Sequence, residues 1–483
     1  MATITSLGIG SGIDINSMVT QLVAVESRPI AQLQTAKARL DTQVSALGKM
    51  QSLIASLQSA ANALTSNTLW TRSIATSSDE RVVGTVGGGN AAPGNYGITV
   101  QSVAAPQTLA STSTFADPAE LVGSGTISFE LGRWDDPPSA FTPKAGGATV
   151  TVTIEATDTL QTLRDKINAA GAGVSASIVT DASGSRLALR SMASGAENGF
   201  RVAVADDDGN GTDVSGLSRV AFDPAAGATA MTYAQAGRDA QATINGIAVT
   251  TTSNDLSGVV EGLTLQLRQP SATAVDVNVT SDRQAVKDAV QKFADAYNDL
   301  ARYIAEQTKY EPTSKVGGPL QGDSSVVGLL GRLRGLINGG SGASTVFTRL
   351  SDIGLQLQRD GTLKVDGAKL DTAVGNLAEL KKALANSDAT VPGNNGLARQ
   401  FSTLTTQVLG VDGSLTTRTE GLRKLISKNQ EQQQRYEDRI ERYRERLVAQ
   451  FSAMDANLSK LNALQSYMTA QLAALQKSTY KTD

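Results

Sequence analysis

The sequence predicts an α+β multidomain protein. Long coiled-coil helices lie at both ends, with a mixed helical and β domain and inserted β-rich domains between them. Three observations predict this. Apolar residues recur every seven positions near both termini, the pattern of a helix that needs a partner. Between about residues 75 and 280 the period changes to two, the signature of half-buried strands. Gly and Pro punctuate the middle but are absent after Gly421. A chain of 483 residues has room for about three domains. The expected boundaries are 1–35 for an N-terminal flexible or helical segment and 36–80 for a long helix joining the helical domain. They continue with 81–280 for two β-rich domains (the inner one about 110–235), 281–420 for the mixed domain and 421–483 for the C-terminal coiled coil.

Gly8, Gly10 and Gly12 loosen the start, and Asp14 is placed to cap a helix. Ile15, Met18, Leu22 and Val25 recur at helical spacing and, with Ile13, are the expected contact of this N-terminal leg with the filament. Pro29 marks a break or a new first turn. From there Leu33, Leu40, Leu47 and Ile54 repeat every seven residues. A second track of Ile30, Lys37, Val44, Gln51 and Gln58 carries polar breaks. Such polar positions in a seam cost stability and set register.

The middle reads as strands, one short helix and hairpins. Val150, Val152 and Ile154 alternate with threonines. Leu160, Leu163 and Ile167 share a helix face that Gly171 can end. Val174, Ala176 and Ile178 begin a strand that turns at 181–185 toward Leu187 and Leu189. Asn245-Gly246 favours the type I′ turn of a tight hairpin. Leu263, Leu265 and Leu267, then Val275, Val277 and Val279, supply two further strands. Helix returns near Asp282, where Val286, Val290, Phe293, Tyr297, Leu300 and Ile304 step by four and three. A helix with Val326, Leu330, Leu333 and Ile337 follows. Next come a hairpin at Asp360-Gly361 and a helix carrying Leu370, Val374, Leu377 and Leu384.

At the C-terminus, Ile440, Leu447, Met454, Leu461, Met468 and Leu475 recur strictly every seven residues. Phe451, Leu458 and Leu472 fill the second core track, and Gln465 interrupts it. A helix of about 55 residues would reach roughly 80 Å and cannot bury its own stripe. The helix over 30–67 is one candidate partner and other copies of the chain are another. The run Arg435–Arg446 reads as a solvated face with pairs such as Asp438–Arg442.

The composition excludes much chemistry. The chain has no Cys and no His, so disulfides, thiol nucleophiles, imidazole acid–base catalysis and Ser-His-Asp triads are impossible. A net charge of −3 argues against nucleic-acid binding. No apolar run is long enough to span a membrane, and Met1–Gly12 does not read as a cleavable signal peptide. Asp206, Asp208 and Asn210 match the start of a calcium loop, but the twelfth position is Leu217 rather than Glu. Gly8–Gly12 lacks the strand and lysine of a phosphate loop. No enzyme activity and no cofactor is expected.

The segment Leu7-Gly8-Ile9-Gly10-Ser11-Gly12-Ile13-Asp14-Ile15-Asn16-Ser17-Met18-Val19, continued by Gln21–Glu26 and Pro29, resembles the start of the flagellar hook-associated protein 2 family, the bacterial filament cap. Asp158–Leu189, Ile244-Asn245-Gly246, Gly262-Leu263-Thr264-Leu265, Phe293–Asn298, Leu320–Asp323 and Asp360–Leu363 resemble later family landmarks in order, so the resemblance spans nearly the whole chain. It implies a non-enzymatic cap at the distal filament tip, required for filament assembly and motility, that promotes insertion of exported flagellin and prevents its loss. It implies a closed oligomer of roughly four to six subunits. It also implies contact with hook–filament junction proteins, an export chaperone on the seam Ile440–Leu475, and secretion by the flagellar type III apparatus without a cleaved signal. Two other readings remain open: an extracellular adhesin with a β head and coiled-coil stalk, which could be a second role of a cap, and another flagellar axial protein.

Overall fold

The computed structural model describes residues 14–313 and 315–479. The chain divides into two compact units, a helical one from its two ends (Met1–Ser66 with Arg283–Asp483) and a β-rich one (Asn67–Asp282).

In the helical unit, Asp14 caps the helix Ile15–Glu26 by accepting from the Ser17 amide at 2.9 Å. Ser27 keeps helical dihedrals, and the helix Arg28–Thr65 follows with Pro29 in its first turn. That long helix thus begins at Arg28 and stops at Thr65, against the expected 36–80. Pro29 explains the start: it lacks an N–H that the first turn would leave unpaired anyway. Leu47, Met50, Ile54, Leu57, Ala61 and Leu64 are fully buried on one face. They lie against the helices Arg283–Thr308, Leu397–Leu409 and Ser414–Thr479. The Leu397–Leu409 helix is absent from the sequence reading, although Leu397, Phe401, Leu404 and Val408 step by 4, 3 and 4. Phe401 meets Phe293 edge-on at 5.1 Å and Tyr297 at 6.5 Å. Burial of Tyr297 pushes its phenol up to about 12.

Asn298 is the polar lock of this core. It is buried, its Nδ2 donates to the Leu363 carbonyl at 2.8 Å, and its Oδ1 accepts from the Leu363 amide at 2.6 Å. Tyr297 Oη donates to the Gly361 carbonyl at 3.2 Å. Together they fix the hairpin Leu355–Leu357/Leu363–Val365, which turns at Asp360-Gly361 with Gly361 at φ 85°. The single helix expected across 370–384 is two, Gly367–Val374 and Leu377–Ala385, because Asn376 leaves the helical region and caps the second. The last helix starts at Ser414 and runs through Gly421, which an otherwise strong helix tolerates at about 1 kcal/mol.

The β-rich unit has two cores. The first lies between a five-stranded antiparallel sheet, in the order 73–77, 275–281, 94–102, 240–244, 247–251, and a three-stranded sheet of 255–260, 263–267 and 83–88. Asn245 and Gly246 take φ 50° and 83° between paired Ile244 and Ile247, which is the left-handed geometry of a type I′ turn. The chain leaves this body at Ala105 and returns at Arg238, and those two residues bridge each other. Between them lies the second body. Its long strand Gly125–Trp134 pairs with Gly199–Asp206 and Val150–Ile154. A four-stranded sheet carries the hairpin Val174–Asp181/Gly184–Ser191. The helix Leu160–Ala169 starts at a capping box of Thr159 and Thr162 and buries Leu160, Leu163 and Ile167 in this core.

Polar groups in the second body are tied off. Gln107 is fully buried and exchanges both amide atoms with the backbone of Phe200, at 2.8 and 2.9 Å. Trp134 Nε1 donates to the Phe200 carbonyl at 2.9 Å. Trp134 is only 7% exposed and packs on Phe141 and Phe222. Arg219 lies 3.6 Å over the Phe115 ring and donates to Glu120 at 2.7 Å. Burial pushes the Asp158 carboxyl up. Hydrogen bonds from Lys166, the Glu155 amide and Thr162 outweigh it and hold the group below 3.8.

Two outcomes follow. Asn298→Ala strands the Leu363 amide and carbonyl inside the core, which should cost about 1–3 kcal/mol and lower the urea midpoint at unchanged slope. Asp158 contributes stability that is complete above its unfolded value and lost as pH falls through the lower folded value. The β-rich unit of the parent should therefore lose stability on acidification below about pH 4 more steeply than Asp158→Asn, as followed by urea titration at each pH.

Candidate assembly surface on the terminal helices

The helix Ser414–Thr479 has 66 residues, a length of about 100 Å. Its first half is held by the Arg28–Thr65 helix. The two run antiparallel: Asn429 Nδ2 donates to the Leu33 carbonyl at 3.1 Å, and Arg439 meets Glu26 at 3.3 Å further along. Asn429 is only 8% exposed and also accepts from Gln433 at 2.5 Å. A buried Asn in a helix seam fixes register, because sliding would leave its amide unpaired. Reading by apolar heptads passes over this residue. Its signal in the sequence is an Asn that falls between Leu422 and Ile440 where an apolar side chain would otherwise continue the stripe.

Past Asn429 the partner is the helix Ile15–Glu26. Ile15, Val19 and Leu447 form a small buried cluster, with Val23, Tyr443, Val448 and Phe451 packed around it. Of the expected filament-contact residues, Ile15 is 1% exposed and packed within the chain, whereas Met18, Leu22 and Val25 are 41, 39 and 55% exposed. The face packed within the chain is Ile15, Val19 and Val23. Spacing by four in β-branched residues marks it in the sequence. Ile13 lies outside the described residues.

The seam residues divide in the same way. Leu47 and Ile54 are fully buried, whereas Leu33 and Leu40 are half-buried. Lys37 is paired with Asp41 at 2.8 Å, and Gln58 Nε2 reaches across to Thr406 Oγ1 at 2.7 Å. The polar breaks therefore lie at the edge of the packing. On the C-terminal helix Ile440 is half-buried, Leu447 buried, and Phe451 and Leu458 half-buried. Met454 is 38% exposed, and Leu461, Met468, Leu472 and Leu475 are 56–62% exposed. The expected seam is thus buried at Leu447, half-buried at Phe451 and Leu458, and largely exposed from Leu461 on, where Leu464 and Tyr467 are exposed too.

Charges here are surface pairs. The expected Asp438–Arg442 contact gives way to Gln434 donating to Asp438 at 3.0 Å, while Arg446 sits 5.9 Å from the Tyr443 ring. An exposed pair such as Glu26–Arg439 contributes about 0–1 kcal/mol. The calcium-loop candidate is a set of turns closed on themselves. Asp206 Oδ2 accepts from the Ser218 amide, Asp208 Oδ1 from the Asn210 amide, and Asn210 Oδ1 from Thr212. Among the described residues no three acidic side chains are grouped to hold a metal ion, and no helix is long and apolar enough to cross a membrane.

What the helices offer is an extended apolar face, partly satisfied within the chain, which is the surface of a structural assembly protein. Comparisons agree. Residues 11–107 match the flagellar hook-associated protein 2 N-terminus, 237–463 its C-terminus, and 140–192 the flagellin hook IN motif. The chain is 32% identical to the B-type flagellar hook-associated protein 2 of Pseudomonas aeruginosa, across 97% of this chain and 98% of that protein. It is 29% identical to the flagellar hook-associated protein 2 of Escherichia coli, with 98% of each covered. The crystal structure of the flagellar cap protein FliD D1-D2-D3 domains from Escherichia coli superimposes with a TM-score of 0.60 at 26% identity, covering 78% of this chain and 99% of that one. The chain belongs to the flagellar hook-associated protein 2 family, the structural caps of the flagellar filament.

Leu447→Asp puts a carboxylate into the Ile15–Val19 cluster. The expected result is loss of hydrogen-exchange protection across 15–26, with the buried face 47–64 of the long helix unchanged. Leu461→Asp, on the bare face, should leave both segments as protected as in the parent.

Proposed function

We propose that this chain caps the distal tip of the bacterial flagellar filament as a homo-oligomer, and that the terminal helices are its moving legs. The cap role rests on the family. The leg assignment rests on one observation: the apolar stripe from Leu461 to Leu475 stays exposed in the single chain. Such a stripe is stable in water only against another apolar face. At a filament tip the available faces are the axial helices of flagellin and of the hook–filament junction proteins. Packing that stops at Phe451 leaves the outer leg free to release and re-form as each flagellin enters. The small Ile15–Val19–Leu447 cluster gives the N-terminal helix a second, weak latch.

The same bare stripe is the surface an export chaperone would cover before secretion. Passage through the flagellar type III apparatus requires an unfolded chain, and the absence of Cys suits that route. A ring of roughly four to six copies closes the tip. The β-rich bodies, joined to the legs at Ser66 and Arg283, would form the plate.

Replacing Leu461, Met468 and Leu475 together by Asp should leave the urea transition of the isolated chain within about 0.5 kcal/mol, because exposed substitutions cost little. Cells carrying this variant should secrete monomeric flagellin and build no filaments. Normal filaments with normal motility would overturn the leg assignment, and unchanged chaperone affinity would move that site off the stripe. In the free protein, amides over 454–475 should exchange far faster than those over 47–64, since a helix without a packed face frays.

A further inference from the structure

The chain contains five Asn-Gly pairs, beginning at Asn198, Asn210, Asn245, Asn338 and Asn395. A glycine after asparagine has no Cβ to keep its backbone nitrogen from the preceding side chain. Attack of that nitrogen on the asparagine Cγ forms the new N–C bond and expels ammonia, closing a five-membered succinimide. Water then adds to either ring carbonyl and leaves aspartate or isoaspartate. The reaction needs a side chain free to rotate over its own backbone and a following N–H that is not engaged. The five pairs share the local sequence chemistry, so the fold alone separates them.

Four are restrained. Asn198 accepts from Lys144 Nζ at 2.7 Å and donates to the Ser194 carbonyl at 2.6 Å, while the Gly199 amide donates to Ala196. Asn395 accepts from the Asp388 amide at 2.8 Å, and the Gly396 amide donates to the Asn386 carbonyl at 2.9 Å. The Gly339 amide after Asn338 donates to the Gly335 carbonyl at 2.9 Å. Asn245 accepts from the Gly97 amide at 2.8 Å, which ties its side chain to the neighbouring strand within a tight turn.

Asn210 differs. It is exposed in the loop between the strand Gly199–Asp206 and the turn Gly216–Val220. Its Oδ1 accepts only within its own turn, from the Thr212 amide at 3.3 Å and Thr212 Oγ1 at 3.1 Å. The Gly211 amide makes no hydrogen bond among the described residues. We propose that Asn210 is the site at which the folded protein deamidates. The product carries a new carboxylate beside Asp206, Asp207, Asp208 and Asp213, and the isoaspartate form adds a methylene to the loop backbone. The neighbouring Asp208-Gly209 pair is held by the Gly209 amide donating to the Asp206 carbonyl at 3.0 Å. Its isomerisation would leave mass unchanged, so the two events separate.

The test is incubation of the full folded chain in mildly alkaline buffer, followed by peptide mapping for the one-dalton gain at each of the five asparagines. The expected rate at Asn210 is at least about tenfold above the other four, the factor for a local opening of about 1.4 kcal/mol. In concentrated urea the five rates should converge. Equal rates in the folded chain, or another asparagine leading, would overturn the proposal. So would the same ranking kept in urea, because the cause would then be local sequence rather than fold.

Discussion

A helix of 66 residues carries an apolar stripe that it cannot bury on itself, and the rest of the helical unit is arranged around that constraint. The 38-residue helix Arg28–Thr65 covers the first part. The helix Ile15–Glu26 extends the cover as far as Phe451. The buried Asn429 fixes how the two long helices align, because its amide finds the Leu33 carbonyl in only one register. Beyond Phe451 the stripe is more exposed, with Leu461, Met468 and Leu472 at 56–59%.

The β-rich unit meets a different requirement. Without disulfides, its first core rests on Val, Leu, Ile and Ala, and its second adds Phe115, Phe129, Trp134, Phe200 and Phe222 to them. Backbone groups that end up inside are paired by buried side chains such as Gln107, which takes both backbone groups of Phe200. Asn298 does the same for Leu363 in the helical unit. Each lock joins segments far apart in sequence. A buried amide left unpaired costs more than a pair contributes, so these contacts select one arrangement of otherwise interchangeable aliphatic layers.

Much was legible in the sequence. Period seven placed both long helices, period two placed the strand-rich middle, and Asn245-Gly246 and Asp360-Gly361 marked their hairpins because those turns need left-handed backbone. The Leu397–Leu409 helix went unread, as did the split at Asn376, since a short segment between Gly-rich stretches carries too few turns for its period to stand out. The depth of Trp134 comes from Phe141 and Phe222, which the sequence does not show to be neighbours. The first helix is apolar on two adjacent faces, and the sequence does not show that the one packed within the chain is Ile15, Val19 and Val23.

The sequence by itself determined the element types, the need of the terminal helices for partners, and the absence of thiol and imidazole chemistry, because periodicity and composition are local properties of the chain. Only the tertiary structure decided which part of each stripe is satisfied within the chain and which part is left for others. That choice depends on antiparallel register and relative helix length, set by contacts such as Leu33 with Asn429 and Ile15 with Leu447, between residues some four hundred positions apart.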